Sequence, residues 1–216
     1  YQERYSGAMI SRPRILFTTL ATVSLGALAL AGCSSSTGPA ASSDGRIPVV
    51  ASTNVYGQIA AAVGGDRVTV TSIISSETQD PHEFEATAAD QLTVKKAGLI
   101  IENGGGYDPF LDQLVSASGA TAPVITAASL SPEWPGDDDH DHSASPEATD
   151  DHADHDHVEG FNEHVFYDVA TMAKLADEIA HELGDLDASG ASTFEANAQT
   201  FTCLLYTSPS PRDGLL

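Results

Sequence analysis

Positive charge is scarce in this chain. Its 216 residues carry nine Lys and Arg against 31 Asp and Glu, a formal net charge of −22 at pH 7. Of the few basic residues, Arg4, Arg12, Arg14 and Arg212 lie near the ends. Such a field repels phosphate backbones and concentrates cations, so nucleic acid is set aside as a partner and metal ions become natural ones. Cysteine is scarcer still. Cys33 and Cys203 are the only two, and no disulfide framework is indicated. Familiar catalytic signatures are missing as well. Neither G-x-S-x-G nor G-x-G-x-x-G occurs, since the nearest glycine run meets Pro109 where its last Gly is required. His181-Glu182 lacks the second histidine of H-E-x-x-H, because position 185 is Asp185. The length allows one ordinary domain or two small ones.

What is present begins with a leader. Met9 opens a basic segment containing Arg12 and Arg14, followed by the apolar stretch ILFTTLATVSLGALALAG up to Cys33. That stretch falls slightly short of the roughly 20 apolar residues of a spanning helix and is interrupted by threonines, a serine and glycines. Its end, Leu30-Ala31-Gly32-Cys33, resembles a bacterial lipobox. The resemblance implies a signal peptide over 9–32, lipid modification of Cys33, and an extracytoplasmic protein anchored to a bacterial cell membrane. Residues 1–8 precede the initiator and read as a non-native leader. Residues 33–46, rich in Ser, Gly and Ala, read as a flexible tether, or as a plain disordered N-terminus if no lipid is attached. At the far end, CLLYTSPSPRDGLL resembles translated adapter sequence, so 203–216 is expected to be a tail foreign to the fold.

Between these segments, short apolar runs alternate with helical spacing. IPVVAS, VTVTSII, LIIEN and PVIT read as four strands, the last edge-like because it begins at Pro123. Val55, Ile59 and Val63 recur at helical spacing before Gly64-Gly65. TAADQLTVKKAG reads as a helix with Thr87 as N-cap and Gly98 just past its end, and PFLDQLVSAS supplies the next. Met172, Leu175, Ala176, Ile179 and Leu183 form an apolar stripe that Gly184 is expected to stop, with His181 and Glu182 on its solvated side. Phe194, Ala198 and Phe201 continue the helical spacing. The alternation predicts an α/β lobe with a parallel sheet over 47–127.

Residues 128–160 break this pattern. From Asp137 to His157 the chain holds nine acids, the five histidines His140, His142, His152, His155 and His157, and no Lys or Arg. A tract so poor in apolar side chains cannot offset its ordering entropy by burial, which makes it a solvated connector. Imidazole and carboxylate together are also ligands for divalent cations, which makes it a weak metal collector. The two readings are compatible.

A parallel sheet sends the loops leaving its strand carboxyl ends to one edge, where ligands bind. Those loops contain Asn54, SSETQDPHEFE, ENGGGYD and the acidic loop with FNEHVFYD. His82 and His164 are thereby expected at one place. DPHEFE (Asp80 to Glu85) and NEHVFYD (Asn162 to Asp168) resemble the two N-terminal-lobe ligand motifs of the metal-binding solute-binding lipoproteins that serve ABC transporters for zinc and manganese. NVYGQIAAAVGGDRVTVTSII resembles their opening strand, helix and second strand. The resemblance spans about Ile47 to Phe201. It implies the N-terminal lobe of a two-lobed protein whose second lobe is missing here, with His82 and His164 as two metal ligands. A third (His or Glu) and a fourth (Asp) would come from that second lobe, through a connecting helix begun by ASTFEANAQTF within 161–202. It further implies a membrane permease as partner, a monomer, and no enzymatic activity. Imidazole suits zinc whereas manganese favours oxygen ligands, and the five-histidine loop resembles the loops inserted in zinc-specific members, so Zn2+ is expected, with Mn2+ as the alternative. Other functions stay open at this point: a surface adhesin, a zinc store, or a zinc-dependent hydrolase in which Glu83 or Glu163 serves as base.

Overall fold

The computed structural model describes residues 45–76, 78–135, 158 and 160–207. Four strands form one wholly parallel sheet: β1 (Ile47–Thr53), β2 (Val68–Ile74), β3 (Leu99–Glu102) and β4 (Val124–Thr126), in the order β2-β1-β3-β4. Ile47 pairs with Val68, Val49 with Leu99 and Ile100 with Val124. The helices are α1 (Asn54–Gly64), α2 (Ala88–Lys95), α3 (Pro109–Ser118), α4 (Val169–Leu186) and α5 (Ala191–Thr207).

Successive strand residues point to opposite faces, so the near-continuous apolar runs of β1 and β3 feed two cores. Val49, Ala51, Leu99 and Ile101 pack with α1, α4 and α5 through Ile59, Val63, Leu175, Ile179, Leu183 and Phe194. Val50 and Ile100 pack on the other face with α2 and α3 through Val94, Phe110, Leu111 and Leu114. Each fully buried Leu or Ile contributes roughly 1.5–3 kcal/mol. Local chemistry starts the helices where the sequence suggests. Thr87 and Asp90 form a reciprocal capping box on α2. Asp168 caps α4, its carboxylate accepting from the N–H groups of Ala170 and Thr171 at 3.2 and 3.0 Å.

The chain moves from β1 through α1 to β2, then through α2 to β3 on the far side of β1. The order therefore reverses between β1 and β3, which opens a crevice at their carboxyl ends.

Four details depart from the sequence reading. Val55 is 39 % exposed, and the buried stripe of α1 is Tyr56, Ile59, Ala60 and Val63. Gly184 does not stop α4, which continues to Leu186. A Cβ at 184 would lie 3.3 Å from that of Ala191, so this glycine serves close approach of α5 rather than termination. Third, Ala127–Leu130 forms a 3-10 turn with Ala127 and Ala128 fully buried, and a turn follows it, so the chain stays packed beyond the expected start of the loop at 128. Finally, α5 runs past Phe201 to Thr207, with Cys203, Leu204 and Tyr206 exposed on it. Cys33 and the loop histidines His140, His142, His152, His155 and His157 lie outside the described residues. Among the described residues, no helix is long and apolar enough to cross a membrane.

Candidate metal centre

Two short turns of the same design present the histidines. The carboxylate of Asp80 accepts the backbone N–H of His82 at 3.0 Å, and the side-chain oxygen of Asn162 accepts that of His164 at 3.2 Å. Asp and Asn favour this bond to the residue two positions on. Apolar neighbours then fasten each turn to the body. Phe84 packs on Phe110 of α3 with ring centroids 4.8 Å apart, and Val165 is 4 % exposed within the core.

The geometry brings His82 and His164 together, as expected, and adds Glu163. One ligand atom from each of the three lies within 4.8 Å of the others. Ligands on a tetrahedral zinc stand about 3.4 Å apart for metal bonds of about 2.0–2.1 Å, so a small inward shift of side chains brings all three to one ion. Each imidazole is oriented by an acceptor at Nδ1. His82 meets the carbonyl of Gly106 at 3.2 Å, and His164 meets Oδ1 of Asn162 at 3.0 Å. A carbonyl oxygen can only accept, so Nδ1 carries the proton and Nε2 the lone pair in both neutral rings. Glu163 Oε1 lies 3.7 Å from His164 Nδ1.

The glycine run after β3 is the platform for this arrangement. Gly104, Gly105 and Gly106 all have positive φ, and a Cβ on Gly104 would come within 2.3 Å of Thr126 Cγ2. Asp108 closes the turn by accepting the N–H groups of Asn103 and Gly104 at 2.7 and 2.8 Å. Burial raises its pKa, an effect those hydrogen bonds partly offset. The Tyr107 ring stands edge-on to both imidazoles, with centroids 5.2 Å from His82 and 5.6 Å from His164. Burial first, and then the charge of Asp108, push its phenol pKa upward, so it stays neutral.

The mouth is open and polar. A cavity of about 440 Å³ is bounded by Thr78, Gln79, Asp80, His82, Tyr107 and His164. A second, of about 340 Å³, is bounded by Ser131, Glu133, Asn162, His164 and Asp168. Beside it the rings of Trp134 and Phe161 meet edge to face at 5.0 Å, joining the two chain ends that flank the acidic segment. His181 lies elsewhere, exposed on α4 and 4.0 Å from Asp185. Asn103, Gly106 and Tyr107 were not singled out by sequence. The only hint was the N-G-G-G-Y-D run itself, whose glycines foretell an unusual turn but not what it holds.

Fold and site together define a binding lobe: an open parallel α/β body with two imidazoles and a carboxylate gathered where its strand order reverses. Residues 49–205 match the family described as zinc-uptake complex component A, periplasmic, and the chain belongs to that family of metal-binding solute-binding proteins. It is 26 % identical over 181 residues to the manganese-binding lipoprotein MntA of Halalkalibacterium halodurans, covering 81 % of this chain and 51 % of that protein. It is 36 % identical over 75 residues to the manganese ABC transporter substrate-binding lipoprotein of Streptococcus gordonii, covering 35 % of this chain and 24 % of that one. Among solved structures, zinc-bound AdcA from Streptococcus pneumoniae superposes with a TM-score of 0.58 at 20 % identity, over 76 % of this chain and 31 % of that one. The nickel complex of FpvC from P. aeruginosa gives 0.56 at 22 % identity, over 74 % and 51 %. These two likenesses show the fold. The chain spans about half the length of MntA and FpvC, and less of the others.

Proposed function

We propose that this chain is the N-terminal lobe of an extracytoplasmic lipoprotein that captures a divalent metal ion and hands it to the membrane permease of an ABC importer. The observation that carries the reading is the convergence of His82 and His164, with Glu163, at the sheet's switch point. The ion is cargo, and Zn2+ is the preferred one, because two of the three donors are imidazole nitrogens whereas Mn2+ favours an all-oxygen set. The manganese named for two relatives supports Mn2+ as the alternative. The remaining ligands come from the part of the relatives' length that this chain does not span. Cys33 carries the lipid anchor, the protein acts as a monomer, and His140, His142, His152, His155 and His157 hold zinc weakly. Nothing in this role requires catalysis.

Chelator competition with Zn2+ and Mn2+, on the chain with residues 137–157 deleted, tests the site. His82→Ala or His164→Ala is expected to weaken zinc by at least the roughly 10–100-fold that loss of a supporting residue costs. Unchanged zinc affinity in both variants would refute the site, and tighter Mn2+ than Zn2+ binding would transfer the assignment to manganese. Anchoring is tested separately by metabolic fatty-acid labelling of a Cys33→Ser protein, which should lose the label.

A further inference from the structure

We propose that Asn103 is the positioning residue that holds the two histidine turns together, so that His82 and His164 present their imidazoles to one ion. The proposal rests on the reading of these histidines as a shared site.

Asn103 directly follows β3, is fully buried, and uses every polar atom it has. Its N–H donates to Asp108, and its carbonyl accepts the N–H of Ala128 at 2.8 Å. Its side-chain Oδ1 accepts the hydroxyl of Tyr56, a fully buried residue of α1. Its Nδ2 donates to the carbonyls of Gly104 at 2.7 Å and of Glu163 at 2.8 Å. Two carbonyls on one side and a hydroxyl on the other admit only one amide orientation. A carboxylate could not donate to both, and a shorter side chain could not reach.

Two paths leave this residue. One runs through Nδ2 to the Glu163 carbonyl, whose peptide bond leads straight to His164. The other runs through the turn closed by Asp108 to the Gly106 carbonyl, which orients His82. The ligand turns are 82 positions apart in sequence, and Asn103 is the root they share. Tyr107, carried on the same turn, packs edge-on against both imidazoles. Losing the amide would leave His82 held by Gly106 while His164 lost the bond that sets its distance from the turn.

The test is imidazole-resolved NMR of the full chain labelled at histidine and titrated with Zn2+. Residue-by-residue assignment separates the loop histidines from His82 and His164. In the unaltered chain His82 and His164 should respond together. In Asn103→Ala, His164 should require at least tenfold more zinc than His82. Asn103→Ser, too short to reach the Glu163 carbonyl, carries the same expectation should Asn103→Ala fail to fold. Leu175→Ala, a core change away from the site, should lower the melting temperature and leave the joint response intact. A folded Asn103 variant with a joint response at unchanged affinity would overturn the proposal, as would an equal splitting in Leu175→Ala. If neither histidine of the unaltered chain responds, the metal site itself fails and the proposal with it.

Discussion

Glu102 shows what a single buried carboxyl can impose on this lobe. It ends β3, is 5 % exposed, and accepts a hydrogen bond from Thr126 at 2.7 Å through Oε1. Burial is the main force raising its pKa to about 8; the Thr126 bond opposes the rise, and the charges of Asp112 and Asp108 add to it. The folded protein therefore keeps a proton that the unfolded chain loses near the ordinary value of 4.5. More protons bound in the native state means that stability falls as pH rises through the window from about 4.5 to about 8. Glu102→Gln, neutral throughout, should flatten that decline. Urea unfolding at pH 5 and pH 8.5 checks it, with a loss on the order of a few kcal/mol in the unaltered protein and less in the variant. An equal slope in both would place the titration elsewhere.

Elements in this lobe depend to different degrees on their own sequence. The capping box of α2 is local, built from Thr87 and Asp90 within one turn, and Thr87→Ala should cost about 1 kcal/mol. The stripe of α4 depends on the partners across from it. Leu175 is fully buried against the sheet and α5, so Leu175→Ala should cost about 2–5 kcal/mol according to how far the site can collapse. Thermal and denaturant melts of the two variants should rank them in that order. The two histidine turns belong to a third kind. Their Asp80 and Asn162 bonds are local and visible as D-x-H and N-x-H in the sequence, whereas their mutual distance is set through Asn103 and the glycine turn. Gly184 illustrates the reverse error: read locally it ends a helix, but the neighbour it accommodates, Ala191, lies on another helix.

For the whole molecule, the net charge of −22 and the acidic segment act at longer range than any one bond. Trp134 and Phe161 already hold the flanks of that segment in contact, so deleting residues 137–157 should leave the body folded, with a melting temperature within a few degrees of the original. The deletion should remove weak zinc equivalents and reduce the salt dependence of capture, because nine carboxylates leave with it. Calorimetric zinc titrations at low and high salt, beside a thermal melt, would show both. A deletion that abolished the site at His82 and His164 would instead make the segment part of the site.

The strand and helix alternation, the helix start at Thr87, the apolar stripe of α4 and the two histidine motifs were all legible in the chain before any fold was known. Each is written in residues within a few positions of one another, where periodicity, capping and turn chemistry act. Four matters were not: which side of α1 turns inward, why Gly184 sits inside a helix, how far the packed chain continues beyond β4, and what holds His82 near His164. Each turns on contacts between segments distant in sequence, such as the bond from Asn103 to the Glu163 carbonyl. Those contacts exist only once strand order has reversed beside β1 and brought the loops to one edge. Sequence could name the candidate ligands because imidazole chemistry belongs to the residue; the spacing that brings them together belongs to the packed body.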